Sequence, residues 1–441
     1  MKVLKVLLFL FFTNIYPQDI LSLKDRSIII DKIIKERTEN LLPKIMQKES
    51  VDMWVLITRE YNEDPIIKTF LPSTWLNARR RTILVISIND NKELETVSIS
   101  RYDFGKIFKS IWDKEKEPNQ WKALSDYIIK KNPNKIAINI SENYALADGL
   151  VKTDYEGLLR VLPNNYIKKL VSSEAIAVSW IEKRSFTEMN IYSQLVQITH
   201  KIIKEAFSTK VITPGITSTD DVVWWLRQKV SSLGLSTWFH PTVDVQRKDN
   251  SDLYSFDSKS KYDIIYPGDL VHCDFGITYL TLNTDCQELA YVLKPNETKA
   301  PKYLEDALVD GNRVQDIMTD LFAKGMTGNE ILKEALRIGQ EKGFKPQIYT
   351  HPLGTYGHSA GTTIGMWDSQ GGVPFNGDFP MNYNTVYAIE LNTKVFIEEW
   401  NKEIRVMLEE AGTYEESGFR YVNGRQTKLI LIGDKKRHLG N

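Results

Sequence analysis

Acidic residues interrupt apolar, strand-like stretches in the second half of this sequence, and no other feature limits its fold so tightly. After Pro267-Gly268, the stretch DLVHCDFGITYL reads as a strand with Leu270, His272 and Asp274 on one face and Val271, Cys273 and Phe275 on the other. Eleven residues beyond Asp274, Asp285 lies in a second such run, LNTDCQELAYVL. Glu390 stands inside TVYAIELNTKV, Glu409 inside IRVMLEEAGTY, and His358 falls in GHSAG. An Asp in mid-strand disfavours β-structure and is costly when buried unpaired, so each needs a cation or hydrogen-bond donors. Taken singly, an acid in a strand most often faces solvent, and a lone histidine most often belongs to a loop. Taken together, four carboxylates and one imidazole can hold two divalent ions roughly 3.5 to 4 Å apart, with two carboxylates bridging them.

Composition bounds the partners. The chain has 441 residues, with 57 Lys plus Arg against 57 Asp plus Glu and a formal net charge of +0. Without a basic surplus or a long Lys/Arg run, a nucleic-acid partner is not expected. The length fits more than one domain. Lys2 and Lys5 precede the apolar run Val6 to Phe12, and Asn14, Pro17, Gln18 and Asp19 follow it, the pattern of a signal peptide over residues 1–18. The expectation is an exported protein, periplasmic or secreted, with no membrane association after cleavage; a retained N-terminal anchor is the alternative. With 2 cysteines, Cys273 and Cys286, no disulfide framework holds the fold.

Alternating helical and strand patterns over residues 23–178 predict an N-terminal α/β domain: an amphipathic stretch over 26–48, VDMWVLIT, TILVISI, ETVSIS, a helical WKALSDYIIKK and KIAINI. The pattern restarts at Ser185-Phe-Thr-Glu188, a capping box that opens a long periodic helix, which places a boundary near 180 and a second domain over 180–441. An internal repeat follows. Gly215-Ile-Thr217-Ser-Thr-Asp220 and Gly325-Met-Thr327-Gly-Asn-Glu330, 110 residues apart, each carry a Thr with an acid three residues later and each open an amphipathic helix. Glu390 follows Asp274 by 116 residues, close to the same interval.

With CDFG, NTD, GHSAG, AIE and LEE in the ordered series Asp, Asp, His, Glu, Glu, residues 180 to 433 resemble the pita-bread metallopeptidases, the family of methionine aminopeptidase, Xaa-Pro aminopeptidase and prolidase. The separate N-terminal domain resembles the Xaa-Pro aminopeptidase and prolidase branch, a two-domain architecture shared with creatinase. The resemblance implies an α+β protein: a creatinase-like α/β domain followed by a duplicated pita-bread catalytic domain. It implies that Asp285 and Glu409 bridge two ions, that Asp274 holds one, and that His358 with Glu390 holds the other. Manganese is the first expectation for the metal, with cobalt or zinc as alternatives.

The chain departs from the family pattern in places. The family's His shortly before the first Asp strand is missing, and the nearest, His240, either substitutes for it or packs beside Trp238 and Phe239. His351, in HPLGTYGHSAG, resembles the first His of the family's HGLGH pattern and is the expected substrate-side imidazole. Trp367-Asp368 stands where the family has His-Asp or His-Glu, which makes Trp367 a substrate-side candidate and puts one transition-state donor in doubt. Strand parity and the family's Glu-plus-acid pattern favour Glu409 over Glu410. If Asp274 and Asp285 face each other across a hairpin, Cys273 and Cys286 face each other behind it, as a disulfide or as a reduced pair.

The expected activity is metal-dependent exopeptidase cleavage of the peptide bond N-terminal to proline. In it a metal-bridged hydroxide attacks the carbonyl, Glu390 carries the proton to the leaving nitrogen, and His351 orients the peptide. The prolyl preference rests on the resemblance alone. A non-catalytic pita-bread protein that binds a peptide or partner, a prolidase, or a hydrolase of another C–N bond remain alternatives, and a homodimer stays open.

Overall fold

The computed structural model describes residues 20–89, 91–249 and 263–433, so the expected signal peptide lies outside the described residues. The N-terminal part is built on apolar β-branched runs. Strand β1 (Met53–Arg59) lies between antiparallel β2 (Arg81–Ile88) and parallel β5 (Ile136–Ile138). With β3 (Leu94–Ser98), β4 (Lys109–Ser110) and β6 (Leu170–Ser172) it forms a six-stranded sheet in the order β4-β3-β2-β1-β5-β6. One face of β1 packs Trp54 and Leu56, and the other packs Met53, Val55 and Ile57, into two separate apolar clusters. The helices over the sheet begin and end on side-chain signals. Ser22 caps Leu23–Asn40 through the Asp25 amide; Asn119 caps Gln120–Lys131, and Asn132, left-handed at φ 46°, closes it.

The second sheet has nine strands. Its main path runs β12 (Pro346–Ile348), β14 (Thr385–Ile397), β15 (Lys402–Glu415), β11 (Cys286–Val292), β8 (Leu270–Phe275) and β7 (Thr242–Gln246). Strand β13 (His351–Leu353) pairs with β14, β16 (Gly418–Tyr421) with β15, and β17 (Ile430–Ile432) with β11. The ribbon of β9 (Thr278–Tyr279) and β10 (Leu282–Asn283) turns at Leu280 and Thr281, both left-handed, as a two-residue hairpin requires. Four helices, Phe186–Ala206, Thr219–Ser232, Lys302–Thr319 and Gly328–Glu341, accompany this sheet. Among the described residues no helix is long and apolar enough to cross a membrane.

The repeat read from the sequence reappears in the geometry with one shift. Helix Gly328–Glu341 starts on the expected Thr327/Glu330 box, whereas helix Thr219–Ser232 starts on Ser218/Asp221, one residue later than Thr217/Asp220. Thr217 is diverted, its hydroxyl accepting from the Thr213 amide. Each cap bridges the chain entering its half's first site strand, Ser218 to Ile264 and Thr327 to Pro380. Gly215 and Gly325, both left-handed, donate to Ile265 and to Met381. The last offset is 116 residues, the same that separates Asp274 from Glu390.

The cysteines do not face each other. In the β8–β11 register Asp274 lies opposite Gln287, Cys273 opposite Glu288 and Cys286 opposite Phe275, two residues from the arrangement expected. The connection folds on itself as the β9–β10 ribbon, which sets the register further along β11. A two-residue slip preserves the face of every side chain, so only the pairing of the thiols changes. Both cysteines are free and buried.

Where helix Leu23–Asn40 meets the start of helix Phe186–Ala206, Glu188 of the latter's capping box accepts from Arg37 at 2.6 Å and Arg184 at 3.0 Å, all three side chains buried. Arg184 also lies against Gly354, where a Cβ would come within 2.7 Å of the guanidinium.

Candidate metal centre

Strand parity assembles the site. Glu390 on β14 lies directly opposite Glu409 on β15, and β13 pairs with β14 so that His351 lies opposite Ala388, two residues from Glu390 and on its face. Strand β11 puts Gln287 opposite both Glu409 on one side and Asp274 on the other. Asp285, two residues before Gln287, shares its face.

The atoms converge on one point. Nε2 of His351 is 3.8 Å from Asp285 Oδ2, 3.9 Å from Glu390 Oε2 and 3.7 Å from Glu409 Oε1. Ligand atoms of Asp274, Asp285 and Glu409 lie within 4.8 Å of one another, as do those of His351, Glu390 and Glu409. Asp274 Oδ1, Asp285 Oδ1, Glu409 Oε1 and His351 Nε2 are all buried without a hydrogen-bond partner. Native interiors seldom leave such atoms unsatisfied, and four of them on residues that ring one centre are what a divalent cation with oxygen and nitrogen ligands would complete. The tautomer fits as well. Nδ1 of His351 lies 3.1 Å from the Pro352 carbonyl and donates to it, which leaves the Nε2 lone pair facing the carboxylates. Burial lowers the His351 pKa to about 4, so the ring is neutral near pH 7.

The carboxylates respond to crowding. Burial, then the charges of Glu409, Asp274 and Glu390, push Asp285 well above the usual carboxylate range. Burial followed by neighbouring acids does the same to Glu390 and Glu409, and burial raises Asp274 to about 6. This is the electrostatic pressure that a bound cation relieves.

The structure brings Asp274, Asp285, Glu390 and Glu409 together with both histidines, His351 grouped with Glu390 and Glu409 and His358 grouped with Asp285 and His351. His351 points among the carboxylates. His358 is exposed, its ring edge-on to His351 at 4.7 Å and to Trp238 at 5.1 Å, with a ring nitrogen still within 4.8 Å of Asp285 and His351 ligand atoms. The reason is tertiary: pairing with β14 aims His351 inward, and the GHSAG segment loops out beyond it. His240 is not beside Trp238; it is exposed, packs edge-on to Trp224 at 5.4 Å and holds Arg227 through Nδ1 at 3.0 Å. Trp367 borders the site at one remove, edge-on to Tyr349 at 5.5 Å, with the Arg405 guanidinium 5.1 Å over its ring. Glu410 faces the other side of the sheet, where Oε2 accepts from His200 at 2.8 Å.

Two contributors escaped the sequence reading. The Gln287 amide donates to Glu390 at 2.6 Å and Glu409 at 3.1 Å; being neutral, it carries no charge pattern to betray it. Trp238 lies flat on Gly357, where a Cβ would fall 2.3 Å from its ring, and it donates to the Thr284 carbonyl at 2.9 Å. Gly357, the first residue of GHSAG, was the available signal for it.

A family model, that of metallopeptidase family M24, matches residues 190–420, more than half of the chain and all five converging residues. The chain belongs to metallopeptidase family M24. It combines the pita-bread fold of that family with an N-terminal α/β domain, and M24 enzymes use divalent metals of the kind this carboxylate cluster fits. No curated protein matches the sequence. Among solved structures, the X-Pro aminopeptidase from Thermotoga maritima MSB8 is similar over 88% of this chain and 100% of its own, with a TM-score of 0.63 and 15% identity. The Xaa-Pro dipeptidase from Bacillus anthracis covers 93% and 100% with a TM-score of 0.59 and 15% identity. The prolidase from Pyrococcus horikoshii OT3 covers 90% and 100% with a TM-score of 0.55 and 16% identity. At these identities the likeness shows the M24 fold alone.

Proposed function

We propose that this M24 protein is a metal-dependent exopeptidase that cleaves the peptide bond N-terminal to proline. The observation that carries the hydrolase reading is the set of four buried, unpartnered ligand atoms on Asp274, Asp285, Glu409 and His351, with Glu390 beside them. Those five residues would hold divalent ions, with manganese the first choice. Bound there, such ions supply Lewis acidity and an activated water. His351 belongs to this ligand set, and His358 takes the substrate-side role.

The remaining steps fall to the chain. Glu390, a carboxylate largely buried at the edge of the ligand cluster, is placed to accept a proton from the attacking water and pass it to the leaving nitrogen. His358 stands at the mouth, where an imidazole can donate to the scissile carbonyl as charge develops on it. Tyr349, largely buried beside Glu390, and Trp367, edge-on to it, form the aromatic side of the site. The prolyl preference draws support from the names of the similar structures, an X-Pro aminopeptidase, an Xaa-Pro dipeptidase and a prolidase. The apolar run behind Lys2 and Lys5 supports export of the mature chain.

The test is an assay of purified mature protein with Mn²⁺ against an Xaa-Pro tripeptide, an Xaa-Pro dipeptide and a non-prolyl control. Prolyl cleavage that disappears in Asp285→Ala is expected. No metal-dependent cleavage of any of the three would overturn the peptidase reading, and cleavage of the dipeptide alone would make the protein a prolidase.

A further inference from the structure

Behind the ligand carboxylates lies a chain of polar side chains that the proposed reaction does not use. The two N–H bonds of the Gln287 amide are spent on one oxygen each of Glu390 (Oε1, 2.6 Å) and Glu409 (Oε2, 3.1 Å). The oxygens left over, Glu390 Oε2 and Glu409 Oε1, are the ones turned toward His351 Nε2. The amide oxygen of Gln287 lies 2.9 Å from His272 Nε2, and Asp244 Oδ2 stands 3.7 Å from the far nitrogen of that ring. Gln287 and His272 are both buried, at 3% and 4% exposure.

The donor directions follow from chemistry. A carboxylate accepts only, so the amide must present its NH₂ to Glu390 and Glu409, and its carbonyl oxygen then faces His272. That oxygen accepts only as well, so His272 must carry a proton on Nε2. Without this donor the buried amide oxygen would lose its partner, and with it the anchor that holds the NH₂ between the two carboxylates.

We infer that Gln287 is a positioning residue, oriented by His272, that fixes which oxygen of Glu390 and which of Glu409 is offered to a bound metal. It touches neither substrate nor metal in this arrangement; it acts through the two ligands, and His272 acts through it. The inference rests on the metallopeptidase reading and adds to it a pair of residues outside the five ligands. Partners that orient metal ligands in this way are typically worth roughly 10- to 100-fold in metal affinity or activity.

The test uses the full mature chain, with Mn²⁺ titrated by calorimetry, bound metal counted by paramagnetic resonance, and thermal melting of the metal-free protein as a check on folding. Gln287→Met, of similar shape but unable to donate, should bind Mn²⁺ about 10- to 100-fold more weakly than wild type. His272→Leu should weaken binding in the same direction, whereas His272→Gln, whose amide restores a donor near Nε2, should stay within about threefold of wild type. In the double variant His272→Leu should add nothing to Gln287→Met, because its effect passes through the missing amide. Losses that multiply in the double variant, or wild-type affinity in a folded Gln287→Met, would overturn the assignment. Should Gln287→Met fail to fold, the His272 pair decides: equal affinity in His272→Leu and His272→Gln overturns it, and rescue by Gln alone supports it. A wild-type chain that takes up no Mn²⁺ would instead sink the metallopeptidase reading itself.

Discussion

At the scale of single residues, seven positions separate two histidines with different surroundings. His351 has one nitrogen engaged by the Pro352 carbonyl and the other bare among three carboxylates, while His358 is exposed at the mouth. His351→Ala is therefore expected to lose bound metal, with activity falling as a consequence. His358→Ala is expected to keep its metal and to lose about 10²-fold in kcat, the loss typical of a single transition-state donor. Metal counts on the two purified variants, alongside kcat, check the assignment; metal loss in His358→Ala with retention in His351→Ala would reverse it. The carboxylates were legible in the sequence because an acid in the middle of an apolar strand is anomalous by itself. The placing of the two histidines was not, since both lie within one motif and only the pairing of β13 with β14 sets how far each ring turns toward the carboxylates. Gln287 was illegible for a related reason: its importance comes from standing opposite Asp274 and Glu409 at once, a fact of register.

At the scale of elements, local signals fared best where the chain neighbours itself. The Ser185/Glu188 and Thr327/Glu330 boxes both appear where their spacing placed them. Register across β8 and β11 depended on how the intervening ribbon folds, which spacing alone does not specify, and the expected pairing slipped by two residues. A longer-range link joins the last turn of helix Glu174–Glu182 to the loop beyond His358. Glu182, 1% exposed, accepts from Asn382 at 3.0 Å and from the Thr362 amide at 3.4 Å. Burial raises its pKa to about 7 from an ordinary 4.5. A carboxyl raised in the folded state contributes its full share of stability below pH 4.5 and loses it as pH climbs through 7. Glu182→Gln has no charge to bury, so its stability relative to wild type should improve by about 2 kcal/mol between pH 5 and pH 8. Denaturant unfolding of both proteins at the two pH values measures this, and a difference that is the same at both would remove Glu182 as its source.

At the scale of the whole molecule, 57 basic and 57 acidic residues cancel, yet the cancellation is not local. Asp274, Asp285, Glu390 and Glu409 gather at one point, with the neutral His351 ring and the Gln287 amide facing them, so a cation is what can balance them once they are ionised. The fold holds these acids in place through paired strands and tolerates their repulsion when no metal is bound. Substituting one of them should therefore have opposite effects in the two states. Asp285→Asn removes a carboxyl whose ionisation burial and its neighbours oppose, so in EDTA at pH 8, above the ordinary range of the carboxyl, the variant should melt higher than wild type. With Mn²⁺ at about 100 times its dissociation constant, wild type gains roughly 2.7 kcal/mol from binding and the variant gains less, so the order of melting temperatures should invert. Thermal melts of both proteins with chelator and with Mn²⁺ decide it. If Asp285→Asn melts lower than wild type in EDTA, its carboxylate contributes more through hydrogen bonds than it costs by repulsion, and these acids are a structural network rather than a cluster poised for metal.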